Sequence, residues 1–353
     1  MKILLLANSL DNSCGVSSHL FILSRGLINS GINLVIASGG GNSIQKYRDL
    51  GVEVKIIPEL LHEKRCIKNW VLAELKMFRL MKSNDFDIIH SHHHFAANIA
   101  RNISRILGVR SVQTIHGILP GSGRLPRYAA DYFIAVSDHI LDYLVKERKI
   151  EGKKIVKIYN GASSNVVKRG IRNGKIRFLA AARMVEEKKL QDYLLAANSL
   201  QEKYYESAEF FLSGAGEYKD ELIMINEQNG GKVKIINEIK ELSKEYYRYD
   251  VFIHCSGVEG LPMSLLEAAF SKCMLITSNY AGLNRHYTQE NGLEIYNTGD
   301  TFELKRIIEK IIENPHIIMS NAGRMYRTVN EYFKSSSMIY DTVEFYNRIK
   351  DGG

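Results

Sequence analysis

Several features that would assign this chain quickly are absent from it. No apolar stretch approaches the roughly 20 residues that cross a bilayer as a helix. The opening run, residues 1–7, is short and stops at Asn8-Ser9-Leu10-Asp11-Asn12 without a small-residue cleavage site, so it reads as a first strand rather than a signal peptide. The four cysteines (Cys14, Cys66, Cys255 and Cys273) lie far apart and form no Cys-x-x-Cys pair, which argues against a metal knuckle or a disulfide framework and fits a reducing cytoplasm. After the first apolar run comes Asn8 through Gly15 with no Gly-x-Gly-x-x-Gly, while Gly39-Gly40-Gly41 follows the second run, so an NAD enzyme is not indicated. There is no Gly-x-x-x-x-Gly-Lys phosphate loop and no Asp-x-Asp at a strand end, and hence no expected requirement for a divalent metal or other cofactor. Internal repeats, low-complexity tracts and RNA- or DNA-binding motifs are likewise missing.

What is present begins with an uneven charge. Residues 1–165 hold 22 Lys and Arg against 13 Asp and Glu, a net of +9, whereas residues 166–353 hold 25 against 26, a net of −1. The basic half points to an anionic partner. An anionic membrane surface or lipid-phosphate substrate is favoured over nucleic acid, and a merely solvated basic surface also fits. A second basic, partly apolar feature is Asn69-Trp70-Val71-Leu72 with Lys64, Arg65, Lys68, Lys76 and Arg79 around it. It reads either as a segment that rests on a membrane or as an ordinary packed helix with a charged outer face.

At 353 residues the chain exceeds one core and fits two domains. Short apolar runs alternate with amphipathic segments, the pattern of parallel sheets with helices on both faces. Seven candidate strands fall at 2–7, 33–37, 53–57, 88–90, 112–115, 132–136 and 154–158. A second series falls at 177–181, 209–213, 232–236, 251–254 and 274–277, with a further candidate at 292–296. The polar stretch 163–175 is the expected hinge. The domains are then an N-terminal one over 1–165 and a C-terminal one over 172–330, with a last helix at about 335–353 packing back on the first.

The richest stretch is Glu259-Gly260-Leu261-Pro262-Met263-Ser264-Leu265-Leu266-Glu267, directly after the apolar run Val251–Cys255. Pro262 suits the first position of a helix, where its missing N–H has no partner in any case. The amides of Met263 and Ser264 then project from the helix start, a seat for an anionic phosphate. Glu259 precedes the helix and Glu267 lies just over one turn inside it. A diphosphate seat flanked by two hydroxyl-binding carboxylates suits a nucleotide diphosphate-sugar. Acidic residues near a helix start are also common for the simpler reason that they complement the macrodipole.

These residues resemble the Glu-x7-Glu motif of a large family of retaining glycosyltransferases of GT-B architecture (glycosyltransferase family 4-like, group 1), which includes many capsule and lipopolysaccharide sugar transferases. Ala182-Arg183-Met184-Val185-Glu186-Glu187-Lys188-Lys189 resembles the family's Gly-Arg-Leu-x-x-x-Lys-Gly, with Ala182 and Lys189 in place of its glycines. Gly214-Ala215-Gly216 resembles its Gly-x-Gly, Gly15-Val16 its glycine-rich loop against the donor, and Thr114-Ile115-His116-Gly117 its Thr-x-His-Gly strand end. Phe270-Ser271-Lys272-Cys273-Met274 departs from the family's Ala-x-Gly-x-Pro, and Ala281-Gly282-Leu283-Asn284-Arg285 from its Gly-Gly-x-Pro-Glu, which bears on sugar and base preference.

The resemblance implies an α/β protein of two Rossmann-like parallel-sheet domains facing a central cleft. It implies hexose transfer from a UDP- or GDP-sugar, with retention, onto a glycan or lipid-linked acceptor in cell-surface polysaccharide synthesis. The enzyme would work in the cytoplasm, on or near the inner face of the membrane. Arg183 and Lys188 would neutralise the leaving diphosphate in place of a metal, since Arg offers a planar fork and Lys a mobile point charge. The donor site implied is Gly15, Val16, Arg183, Lys188, Gly214, Gly260, Leu261, Pro262, Met263, Ser264 and Glu267, with Glu267 on the ribose. The catalytic pair implied is His116 and Glu259, Glu259 holding donor-sugar hydroxyls rather than acting as a general base. His90 and His92 share one face of a strand and could share a ligand, but the family's His-rich strand end implies no metal. The alternatives are a nucleotide-sugar epimerase of the same fold and a non-catalytic nucleotide-sugar-binding protein.

Overall fold

A computed structural model describes residues 1–11, 15–118, 128–163 and 174–351. The expected hinge at 163–175 falls almost wholly outside these residues. The chain forms two compact units, one of Met1–Gly161 with Ser335–Gly353 and the other of Ala162–Lys334.

The first unit holds a seven-stranded parallel sheet: β1 Lys2–Ala7, β2 Asn33–Ser38, β3 Glu53–Ile56, β4 Ile88–Ser91, β5 Arg110–Ile115, β6 Tyr132–Ala135 and β7 Ile155–Lys157. Their order is β3-β2-β1-β4-β5-β6-β7, every neighbouring pair parallel. The central strands are apolar and buried along their length because helices cover both faces. The second unit repeats the scheme with six strands: β8 Ile176–Ala181, β9 Ala208–Ser213, β10 Val233–Ile236, β11 Val251–His254, β12 Met274–Ser278 and β13 Leu293–Tyr296. Here the order is β10-β9-β8-β11-β12-β13, again all parallel.

Each sheet reverses its winding once, between β1 and β4 in the first and between β8 and β11 in the second. In doubly wound sheets such switch points leave a crevice at the carboxyl ends of the strands, where ligands bind. This topology, rather than any one motif, decides where the chemistry-bearing residues collect.

The final helix, Ser335–Lys350, belongs to the first unit and buries Met338, Phe345, Tyr346 and Ile349 in its core. It packs against the helix Gly15–Asn29, and a side chain at Gly26 would collide with Ile339. The apolar period predicts this helix over residues 19–30, yet it begins four residues earlier, because its inward face carries Ser17, His19 and Ser24 beside Leu20, Leu23 and Leu27. Polar residues on the buried side hid its first turn.

Candidate nucleotide-sugar site

In the second unit, β8 ends at Ala181 and runs straight into the Arg183 loop, while β11 ends at His254 and leads to Glu259. Both therefore lie at the switch point. The loop is locked to the end of β9: Met184 N–H donates to the Ala215 carbonyl at 2.8 Å and Tyr218 N–H to the Met184 carbonyl at 2.9 Å. A Cβ on Gly214 would fall onto the Ala182 carbonyl oxygen, and one on Gly216 onto the Met184 carbonyl. Both glycines thus allow two backbones to touch, so the task visible for Gly214 is to position the Arg183 loop.

Arg183 is exposed, and its guanidinium makes no hydrogen bond or ion pair with any described residue. Lys188 reaches across to Glu259, Nζ to Oε1, with the two side chains 21% and 16% exposed. Lys189 sits in the left-handed region at φ +47°, and so does Lys272 at φ +55°. These are two positions where the family pattern carries glycine, and the backbone keeps glycine's conformation although the side chain is lysine.

Glu259 has a second partner that sequence reading missed. His254, 5% exposed at the end of β11, places Nε2 3.4 Å from Glu259 Oε1 and Nδ1 3.1 Å from Thr277 Oγ1 at the end of β12. A Thr277 hydroxyl that donates to Nδ1 fixes the tautomer that aims Nε2–H at the carboxylate. Burial alone would raise the Glu259 pKa. The His254 hydrogen bond and the Lys188 charge outweigh it and bring the carboxyl down to about 2. The signal for His254 was a lone imidazole closing an otherwise apolar strand.

Beyond Glu259 the backbone turns through buried Gly260 and Leu261 into the helix Met263–Phe270. The start lies one residue later than expected: Pro262, at φ −69° and ψ 124°, is the N-cap rather than the first helical residue. Met263 and Ser264 are then the first two helical positions, whose amides have no acceptor within the helix. Leu261 and Met263 turn their side chains inward, so they can offer a ligand only backbone. Burial and then the Glu267 charge push the Tyr246 phenol well up, and the Tyr246 hydroxyl donates to the Ser264 carbonyl at 3.1 Å. Tyr246 thereby braces the helix start from below.

The first unit gathers imidazoles at its own switch point. His92 follows β4, His116 follows β5, and His19 stands one turn into the helix after β1. His92 Nδ1 and His116 Nε2 are 3.1 Å apart, and the His19 ring lies 4.7 Å from that of His116, centroid to centroid. Ring nitrogens of all three come within 4.8 Å of one another, a grouping able to hold a zinc-class ion or to meet sugar hydroxyls. His92 Nε2 is buried without a partner among the described residues, and His19 is buried with the Asn160 side chain beside it. Burial lowers the pKa of His19 to about 4, against an opposing hydrogen bond from Asn160, and holds His92 and His116 well down, so all three are neutral at physiological pH.

His90 shares the face of His92, with ring centroids 4.3 Å apart, yet it cannot share a ligand. Its Nδ1 pairs with Tyr346 Oη at 2.5 Å and its Nε2 with Thr114 Oγ1 at 2.7 Å, so both nitrogens are spent tying the last helix to β4 and β5. His19 takes the place in the cluster that strand alternation suggested for His90. Gly15 opens the first helix and is exposed, while Val16 packs on the core.

Two doubly wound parallel sheets with this loop-and-carboxylate set define a glycosyltransferase of the GT-B class. The profile of Glycosyltransferase Family 4 matches residues 14–165, and that of Glycosyl transferases group 1 matches residues 163–329. The chain belongs to this glycosyltransferase family. It is 21% identical over 276 residues to the capsular polysaccharide biosynthesis glycosyltransferase CapH of Staphylococcus aureus, covering 71% of this chain and 76% of the relative. It is 24% identical over 284 residues to a UDP-Gal:alpha-D-GlcNAc-diphosphoundecaprenol alpha-1,3-galactosyltransferase of Escherichia coli, covering 72% of each. Among solved structures, Anabaena HepE in complex with UDP-glucose superposes with a TM-score of 0.84 at 16% identity, over 99% of this chain and 100% of that one. At that identity the likeness speaks for the fold.

Proposed function

We propose that this chain transfers a hexose from a UDP- or GDP-sugar, with retention and without a divalent metal, onto a glycan or lipid-linked acceptor in cell-surface polysaccharide synthesis at the cytoplasmic face of the membrane. The observation that carries the reading is the Lys188–Glu259 pair held by His254 beside the Met263 helix start. A cation, a fixed carboxylate and two amides without helical acceptors stand together, as a diphosphate joined to a sugar requires. On donor binding Lys188 turns to the diphosphate with Arg183, and Glu259 takes sugar hydroxyls. Glu267 takes ribose hydroxyls. His116 contributes from the first unit as a neutral imidazole. The acceptor oxygen bonds to the anomeric carbon as the bond to the leaving diphosphate breaks, and a departing phosphate oxygen takes the acceptor proton. No separate base–nucleophile pair is then needed. The CapH and diphosphoundecaprenol relatives support the acceptor class.

The test is ligand-observed NMR against UDP-, GDP-, ADP- and dTDP-sugars, repeated with Glu267→Ala and followed by donor turnover in Arg183→Ala. Selective binding lost in the first variant and turnover lost in the second are expected. Unchanged turnover in both variants would overturn the assignment.

A further inference from the structure

The imidazole cluster of the first unit holds more nitrogen than the transferase reading uses, since that reading draws only on His116. His19, His92 and His116 come from the helix Gly15–Asn29 and from the ends of β4 and β5, so the sheet rather than the chain brings them together. Their frame is rigid. His92 N–H donates to the Leu6 carbonyl at 3.1 Å, which pins the residue to the end of β1. Its ring lies 4.3 Å from that of His90, and His90 is fixed in turn by Tyr346 and Thr114. The Asn160 side chain hydrogen-bonds His19, a contact of the kind that aims a metal-bound imidazole. A hydrogen bond on one ring nitrogen leaves the other to turn toward the cluster.

Distances then narrow what the cluster can hold. Two imidazole nitrogens on one tetrahedral zinc stand about 3.3–3.4 Å apart, given Zn–N bonds of about 2.0–2.1 Å. His92 Nδ1 and His116 Nε2, at 3.1 Å, are already close to that spacing. With His19 the ligand atoms all lie within 4.8 Å of one another, so a turn of one ring closes the group. Three imidazoles without a carboxylate suit zinc, copper or nickel and not magnesium or calcium. Sugar hydroxyls match the set less well. His19 and His92 are only 5% and 3% exposed, so a hexose reaches no further than the half-buried His116, whereas an ion reaches all three.

The geometry points to a second ligand of this protein: a zinc-class transition-metal ion held by His19, His92 and His116, with water in a fourth position. Bound there, the ion acts against transfer, because it takes the imidazole of His116 away from the donor sugar. That consequence rests on the proposed function, while the binding itself does not. The experiment is calorimetric titration of the full chain with zinc, prepared without a histidine tag, followed by cobalt(II) substitution. About one equivalent of zinc and the visible cobalt band of a tetrahedral site are expected. His19→Gln and His92→Ala should each weaken binding on the order of tenfold or more, and Asn160→Ala about tenfold through the lost orientation of His19. His316→Ala, at an exposed histidine of the second unit, should leave binding unchanged. Zinc that quenches donor turnover as it saturates the site, with recovery on chelation, supports the inhibitory role. Two results overturn the site: wild-type protein that takes up neither zinc nor cobalt, which is read without any variant having to fold, or zinc binding that survives in both His19→Gln and His92→Ala. Zinc bound at full turnover overturns the inhibition and with it the role given to His116.

Discussion

Replacing Glu259 by Gln tests the central pair most directly. The carboxyl titrates at about 2 in the folded chain instead of the ordinary 4.5. Burial opposes that shift, so it measures what His254 and Lys188 contribute beyond the desolvation they offset. At 1.36 kcal/mol per unit, the folded state favours the carboxylate by about 3 kcal/mol. A folded pKa below the unfolded one adds stability that is complete above the unfolded value and fades as the pH falls through the folded one. Gln has the shape of the protonated acid without its charge. Glu259→Gln should therefore destabilise the second unit by about 3 kcal/mol, a gap that stays flat from about pH 8 to about pH 5 and shrinks below. For a unit of this size the melting temperature drops by about 2–4 °C per kcal/mol, or roughly 6–12 °C in all. Calorimetry of the two proteins side by side across that pH range reads both numbers. Lys188→Met, alone and combined with Glu259→Gln, separates the lysine's share. A variant that melts as high as wild type at neutral pH would refute the reasoning, since the pair would then fail to repay its own desolvation. A gap that closes between pH 8 and 6 would refute it differently, by showing that an imidazole sets the balance.

Gly214→Ala should cost about 1–3 kcal/mol in thermal unfolding, because its Cβ meets a backbone carbonyl that cannot move aside cheaply. It should also weaken donor binding by displacing the Arg183 loop, so full stability and full affinity together would contradict the role given to that glycine. Lys189→Gly should stabilise by up to about 1 kcal/mol, the left-handed strain relieved slightly exceeding the flexibility added to the unfolded chain. Lys189→Val should destabilise by more than Lys189→Gly gains, and urea unfolding of the three proteins gives the order.

The layered fold was legible because its cause is local. Parallel strands covered on both faces need unbroken apolar runs, and residues 2–7, 251–254 and 274–277 supply them in a form no amphipathic helix would. Strand order was not written in that pattern, since it depends on which crossovers pack. Helix starts were blurred where burial and polarity disagree. The first turn of Gly15–Asn29 buries Ser17 and His19, and the apolar period cannot mark a turn whose inward residues are polar.

The candidate site divides along the same line. Arg183, Lys188, Glu259 and Glu267 could be picked out because spacing within one segment reports chemistry placed by one loop or one helix turn. His254, Thr277 and His19 could not, since each acts on a residue brought beside it by the sheet rather than by the chain. Thr277 stands 23 positions from His254 yet abuts it, because β11 and β12 are register partners at these two residues. The partners of His90 depend on distant chain in the same way. Alternation along β4 put His90 and His92 on one face, but only the last helix, more than two hundred residues on, decided that His90 would spend its Nδ1 on Tyr346. In this fold the groups that bear charge are written locally, while the neutral groups that aim them are set by strand neighbours. A search for further positioning residues should therefore read across β8, β11 and β12 at their carboxyl ends before it reads along the chain.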